Sequence, residues 1–256
     1  MKLLGPVPQD IGGGKLGLPK IGNTGETKNG HSVVLLLEIG KIKMLLGGDL
    51  NEPSQEYLME HYTGLDPHPK TEAGIKRLVA EGRKHFEVDL AKACHHGSAH
   101  ILPSFLKATN PLITVISSGD NEPHSHPRPD TLGIIGRCSD AERPLIFSTE
   151  LARSGSEQIK HPNKVRAELR AEIDKQTAII NDSTSTNSQI KKAEERLDKS
   201  LSVIQRSVAN YGMINVRTDG ERMIVCQRLE RERSKSKRWD IYQFETDDHG
   251  HLHFIH

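Results

Sequence analysis

Hydrophobic and polar positions fall into three textures along this chain. Residues 1–31 are rich in Gly and Pro and show no periodicity, which predicts an irregular lead-in. From Ser32 the pattern changes. Ser32–Ile39 is an almost unbroken apolar run, Gly40-Lys41 a tight turn, and Ile42–Leu46 a second run ended by Gly47-Gly48-Asp49, so two buried strands are expected. A helix is expected after Pro53 with Ser54 as its cap, and another over Glu72–Phe86, where Ile75, Leu78 and Val79 recur at helical spacing. Strands over Val88–Cys94, Leu112–Ser117 and Leu145–Ser148 alternate with short helices near Pro103–Ala108 and Thr131–Ile135. This alternation predicts an α/β layered domain over 32–155.

Beyond it the period lengthens. Val165, Leu169, Ile173 and Ile180, then Ile190, Leu197, Leu201, Ile204 and Val208 after a polar break at Asn181–Asn187, predict an antiparallel helical hairpin over 160–210 with one apolar stripe per helix, used for packing or dimerisation. Residues 211–256 read as a small β-appendage with a hairpin turn at Thr218–Glu221.

Composition narrows the function classes. The 256 residues carry 35 Lys+Arg against 34 Asp+Glu, a net charge of +1, evenly spread. Only 209–239 leans basic, with eight Lys/Arg against four Asp/Glu, so a nucleic-acid binder with steeply salt-dependent affinity ranks last. The run Arg231–Arg238 reads as a solvated turn. The longest apolar run, Val33–Leu37, falls far short of the roughly 20 residues a bilayer requires, and no membrane association is expected. No secretory signal is expected, and three scattered cysteines suit a reducing compartment, so a cytoplasmic location is expected. Histidine is the abundant functional residue: fourteen in the chain, against five Phe and one Trp.

Three clusters sit where strands are expected to end: Gly47-Gly48-Asp49, His95-His96-Gly97-Ser98, and Ser118-Gly119-Asp120-Asn121 running into His124-Ser125-His126-Pro127. Loops at strand C-termini hold ligands in layered α/β proteins because the sheet fixes them. Aspartate with histidine suits Zn²⁺, which takes imidazole nitrogen and carboxylate oxygen at about 2.0–2.2 Å. Each cluster alone has a plain structural reading, as a turn, a cap or a rigid Pro loop; their conjunction argues for a site. Cys94, within a strand, reads as a small buried residue. His249, His251 and His253 alternate ahead of His256 and read as a solvated strand face, with an independent metal site as the sharper alternative.

Asn29–Asp49, Asp89–Ser98 (ending His-His-Gly-Ser) and Pro111–Asn121 with His126-Pro127 resemble the metallo-β-lactamase superfamily, and within it the branch containing the C-terminal domain of ComEC, the DNA-internalisation protein. The resemblance spans about residues 29–150 and implies the C-terminal half of a four-layer αββα sandwich. It implies that Asp49 is the metal-bridging aspartate, that the His95/His96 pair holds the last metal-ligand histidine, that His126 and Asn121 are catalytic, and that Ser98 and Ser118 line the substrate rim. Two zinc ions, or manganese, belong to the intact architecture. The superfamily's His-x-His-x-Asp-His signature lies upstream of these motifs, and the 31 residues before the first matching strand hold one histidine, His31.

The resulting expectation is a metal-dependent hydrolase acting on a phosphoester, of a small molecule, nucleotide or nucleic acid, or on a related bond. It is completed by a second chain that supplies the missing ligands or by self-association, and the apolar sheet face that a half-sandwich would leave uncovered predicts association or poor solubility in isolation. The alternative is a non-catalytic binding or assembly protein that keeps the half-fold as a scaffold and acts through the 164–208 hairpin.

Overall fold

The computed structural model describes residues 1–119, 126–149, 162–208, 213–229 and 238–255. The chain divides into two compact units, one of Met1–Leu151, Ile214–Gln227 and Trp239–His256, the other of Ala152–Met213 and Arg228–Arg238.

The first unit is a mixed α/β structure built on a six-stranded sheet. Its strands are β1 (Lys2–Gly5), β4 (Val34–Ile39), β5 (Ile42–Leu46), β6 (Leu90–Lys92), β7 (Ile113–Ile116) and β8 (Leu145–Ser148), in that spatial order. β1, β4 and β5 run antiparallel, and β5 through β8 run parallel. The parallel strands keep one register, with Leu46 beside Lys92, Lys92 beside Val115 and Val115 beside Phe147. Parallel neighbours need a crossover, here made by helices. These are α2 (Glu52–Thr63), α3 (Glu72–Phe86), α4 (Pro103–Thr109) and α5 (Pro129–Cys138). Local chemistry sets their ends. The Asn51 side chain accepts from Ser54 N to start α2, Gly64 closes it at φ +65°, and the Thr71 hydroxyl accepts from Gly74 N to start α3.

Alternation along the strands sends side chains to two cores. Val34, Leu36, Leu45 and Ala91 pack under Leu58, Met59, Leu78, Phe86 and Phe105 of α2, α3 and α4. Ala93 and Ile116 meet Ile135 of α5. On the opposite face, Ile42, Met44, Leu90, Ile113 and Phe147 pack against Met223, Val225, Phe244 and Leu252. Those four residues belong to a second, antiparallel sheet of β9 (Ile214–Thr218), β10 (Arg222–Arg228), β11 (Trp239–Thr246) and β12 (Leu252–Phe254), ordered β12-β11-β10-β9.

This arrangement differs from the appendage and the bare sheet face expected from the sequence. Residues 214–254 supply the layer that covers that face. Their strands bury Met223 and Val225 inward while Ile224 and Ile241 point out, a period-2 pattern of modest apolar content. Polar contacts lock the two sheets: Lys41 N donates to the Gly220 carbonyl at 2.7 Å and Gln227 Nε2 to the Ser148 carbonyl at 2.7 Å. Gly40 and Gly220 lie so close that a Cβ on Gly40 would stand 2.5 Å from the Gly220 carbonyl oxygen. The lead-in also has structure. Besides β1 it contains the two-stranded pair β2 (Gln9–Asp10) and β3 (Leu16–Gly17), then α1 (Thr24–Gly30), which Asn23 and Glu26 start with a reciprocal capping box.

In the second unit α6 (Pro162–Asn181) and α7 (Asn187–Val208) pair as a hairpin. Its turn is held by Asp182, whose carboxylate accepts from Thr184 N at 2.9 Å and the Thr184 hydroxyl at 2.7 Å. Gln176, Ala193 and Ser200 are buried, and Gln176 Nε2 donates to Glu172 Oε1 at 2.7 Å. Among the described residues no helix is long and apolar enough to cross a membrane.

If the second sheet is a true core layer, Phe244→Ala, at a residue 1% exposed, will lower unfolding free energy by about 3–5 kcal/mol. Ile241→Ala, on the outer face of the same strand and 53% exposed, will change it by less than about 0.5 kcal/mol. Guanidinium midpoints at matched m-values compare the two.

Candidate functional site

The shared register of β5, β6 and β7 ends three strands side by side and delivers Asp49, His95–His96 and Ser117–Ser118 to one rim of the sheet. Glycines make the crowding possible. A Cβ on Gly47 would come 2.5 Å from Cys94 Sγ, and Gly48 turns at φ +59° against Ser32. The ladder continues past the strands: His95 N donates to the Gly48 carbonyl at 3.1 Å. Asp49 N donates to the Ser32 hydroxyl at 2.9 Å, which fixes the start of the aspartate's loop. Lys92 Nζ reaches the Gly48 and Ala93 carbonyls at 3.4 and 3.3 Å from beneath.

After β6 the chain makes a tight turn over Cys94–Gly97 in which His95 (φ +46°), His96 (φ +55°) and Gly97 (φ +80°) are all left-handed. For an L-residue this region costs about 1–2 kcal/mol, so two histidines in it require a surrounding structure that holds them. That structure is visible. Ser98 N donates to the His95 carbonyl and Arg128 N to the Gly97 carbonyl, each at 2.9 Å. His96 Nδ1 bonds the Ser117 carbonyl at 2.7 Å. Gly97 packs on Pro127, where a Cβ would stand 2.8 Å from Pro127 Cβ.

The histidines emerge in different directions, with ring centroids 6.4 Å apart and planes 62° apart. His96 bonds a carbonyl, so its Nδ1 carries a proton, and in the neutral ring Nε2 is the bare nitrogen. Nε2 lies 3.4 Å from Asp49 Oδ1, with both side chains about two-fifths exposed. His95 Nε2 lies 3.4 Å from Asn29 Nδ2 on the last turn of α1, and its Nδ1 is buried with no partner among the described residues. Burial pushes the His95 pKa down; Asp49 opposes this, while His126, His96 and His100 add to it. The His126 ring stands edge-on to His95, 5.7 Å between centroids.

The remaining sequence candidates are placed as follows. Ser98 is buried and does turn duty: its hydroxyl accepts from His100 N at 3.3 Å and its carbonyl from the Thr131 hydroxyl at 2.7 Å. Ser118 N donates to the Thr149 hydroxyl at 2.9 Å, and its own Oγ is buried without a partner among the described residues. Asn121 and the expected loop from Asp120 to Ser125 lie outside the described residues, as does His256. Burial pushes the Cys94 thiol up to about 12, which suits a packed residue. On the β11–β12 turn, His251 Nδ1 is 3.8 Å from Asp247 Oδ2 and the His249 and His251 rings are 6.5 Å apart. The sequence reading missed Asn29, whose one signal is an Asn-Gly pair just ahead of the first strand run.

Among the described residues, no three His, Cys, Asp or Glu converge on one point as a metal-binding set. Two do stand in a suitable relation. Ligands at about 2.0–2.1 Å around a tetrahedral ion lie about 3.4 Å from each other, and Asp49 Oδ1 and His96 Nε2 are 3.4 Å apart. The Ser117 carbonyl fixes the His96 tautomer as the backbone does for metal-bound imidazoles. These two side chains fit a divalent cation as a pair of corners.

Two measurements test this geometry. Gly97→Ala will destabilise the chain by about 1–3 kcal/mol through its left-handed φ and the contact with Pro127. Gly133→Ala, at an open position inside α5, will instead stabilise it by about 0.5–1 kcal/mol. Because the His95 pKa is depressed in the folded chain, the unfolded chain takes up the proton first as pH falls. The stability contributed by neutral His95 is therefore full above the unfolded value near 6.5 and declines as pH drops through the folded one. Denaturation midpoints of the metal-free chain will fall with acidification over this window, and less steeply in His95→Gln.

Comparison with known proteins gives one relative. The chain is 24% identical over 140 residues to ComE operon protein 3 of Bacillus subtilis (strain 168), a match covering 54% of this chain and 15% of that protein. It thus corresponds to a small part of that relative's length. No protein-family model and no solved structure matches the chain.

Proposed function

We propose that this chain holds a divalent cation, zinc or manganese, between Asp49 Oδ1 and His96 Nε2. On this reading it is part of a metal-dependent hydrolase of the metallo-β-lactamase type, acting on a phosphoester or related bond. The observation that carries the reading is the facing of two acceptors. With its Nδ1 proton committed to the Ser117 carbonyl, the neutral His96 ring turns a lone pair toward a carboxylate oxygen 3.4 Å away. Such a pair repels unless a positive charge lies between, either a metal cation or a proton on Nε2 that makes an ion pair with Asp49. The likeness to ComE operon protein 3 and the Gly-Gly-Asp, His-His-Gly-Ser and His-Pro motifs support the same reading.

A bound divalent ion supplies acidification of water near neutral pH and polarisation of the electrophile. The chain's own residues do the rest. Asp49 and His96 hold the ion, Ser117 orients the His96 ring, and Ser32 fixes the backbone under Asp49. His126, beside His95 at the rim, meets the substrate, with Ser118 shaping the approach. Two corners leave the coordination incomplete, and the further ligands come from another polypeptide or a second copy of this one.

Titration of the metal-free chain with Zn²⁺ and Mn²⁺ by calorimetry tests the site. Uptake is expected in wild type. Asp49→Ala and His96→Ala will each weaken it by more than the roughly 10–100-fold that losing a partner outside the coordination sphere costs. Uptake that survives both substitutions, or none in wild type, sinks the proposal and favours a scaffold acting through the α6–α7 hairpin.

A further inference from the structure

His95 and His96 are identical in sequence chemistry and adjacent in the chain, yet their Nε2 atoms face opposite kinds of partner. His96 spends Nδ1 on the Ser117 carbonyl and leaves Nε2 toward Asp49. His95 has its Nε2 3.4 Å from the side-chain amide nitrogen of Asn29, and its Nδ1 is buried. An amide N–H is a donor only, so the neutral His95 ring facing it accepts through Nε2 and carries its proton on Nδ1.

The donor stands on an anchored platform. α1 is started by the Asn23–Glu26 capping box, and its Glu26 carbonyl accepts from the buried Asn51 side chain at 2.9 Å. Gly30, next to Asn29, is pressed against α2 so closely that a Cβ would lie 2.4 Å from Ser54 Oγ. Just beyond the helix, His31 Nε2 bonds the Pro19 carbonyl at 2.9 Å. Asn29 is thus held from both sides by contacts that do not involve the histidine pair.

We propose that Asn29 is a positioning residue that keeps His95 out of the cation's ligand set. Its amide donates to Nε2 and favours the Nδ1–H tautomer, so that of the two bare Nε2 atoms only that of His96 is turned toward Asp49 and open to a metal. The division of labour deepens the metal reading above and depends on it only for its consequence: coordination positions that a second imidazole would fill stay open. His95 then acts through its ring, as the wall against which His126 is seated.

The tautomers are read without any metal. Long-range ¹H–¹⁵N correlation spectra of the full chain, at a pH where both rings are neutral, distinguish a bare ring nitrogen from a protonated one. The expected result is Nδ1–H with bare Nε2 for both His95 and His96 in wild type. In Asn29→Asp the new carboxylate accepts where the amide donated, so His95 switches to Nε2–H while His96 keeps its signals. A His95 that is already Nε2–H in wild type overturns the proposal by itself, whether or not the variant folds. So does a folded Asn29→Asp chain in which His95 does not switch. A chain that shows these tautomers, with the switch in Asn29→Asp, and takes up no zinc would sink the metal reading and leave the role of Asn29 standing.

Discussion

The parallel register of β5 to β8 is the constraint from which the rest follows. Leu46, Lys92, Val115 and Phe147 lie in one row, and three residues past the first two stand Asp49 and His95. Hydrogen bonding between strands enforces that row whatever the side chains are. The crossover helices return the chain to the same edge each time, so all these strand exits share one rim. Residues 47 positions apart are thereby brought within bonding distance by backbone pairing alone, as the His95 N to Gly48 carbonyl bond shows. The rim is a product of sheet geometry, and its chemistry is written on top.

What the rim adds is a reversal of backbone hand. A right-handed continuation after β6 would carry His95 and His96 onward as a helix does, on neighbouring faces. Three successive left-handed residues splay them, one ring toward α1 and the other toward Asp49. The cost is met by four backbone or side-chain bonds and by the seat of Gly97 on Pro127. A strained turn this heavily braced is what a site requires when two like side chains must do unlike work.

Much of this was legible in the sequence, for identifiable reasons. Ser32–Leu46 reads correctly because a buried hairpin needs continuous apolar runs and a Gly at its turn, and Gly40 sits at φ +58° there. Glu72–Phe86 reads correctly because its apolar residues recur at one helical face. α1 escaped notice because Thr-Gly-Glu-Thr-Lys-Asn-Gly has no apolar face; its cap and its packing through Gly30 form it. β1 escaped because four residues, two of them exposed, give no alternation to read. The role of the second sheet was hidden for a different reason. Period-2 patterning says that one face is buried and not what it is buried against. Likewise the motif His-His-Gly-Ser announces a site, while which histidine faces Asp49 is decided by φ angles and by Asn29, neither of which is written in the motif.

The covering of the first sheet by strands from the far end of the chain has a consequence in time. Ribosomes deliver about 5–20 residues per second. The parallel sheet is complete in sequence at Ser148, and its second face waits for β9 to β12, the last of which ends at Phe254. For some 5–20 s the nascent protein therefore carries Ile42, Met44, Leu90, Ile113 and Phe147 without the second sheet to set against them. During synthesis this is a chain that a chaperone would recognise, and one whose fold closes only when the last strand is out.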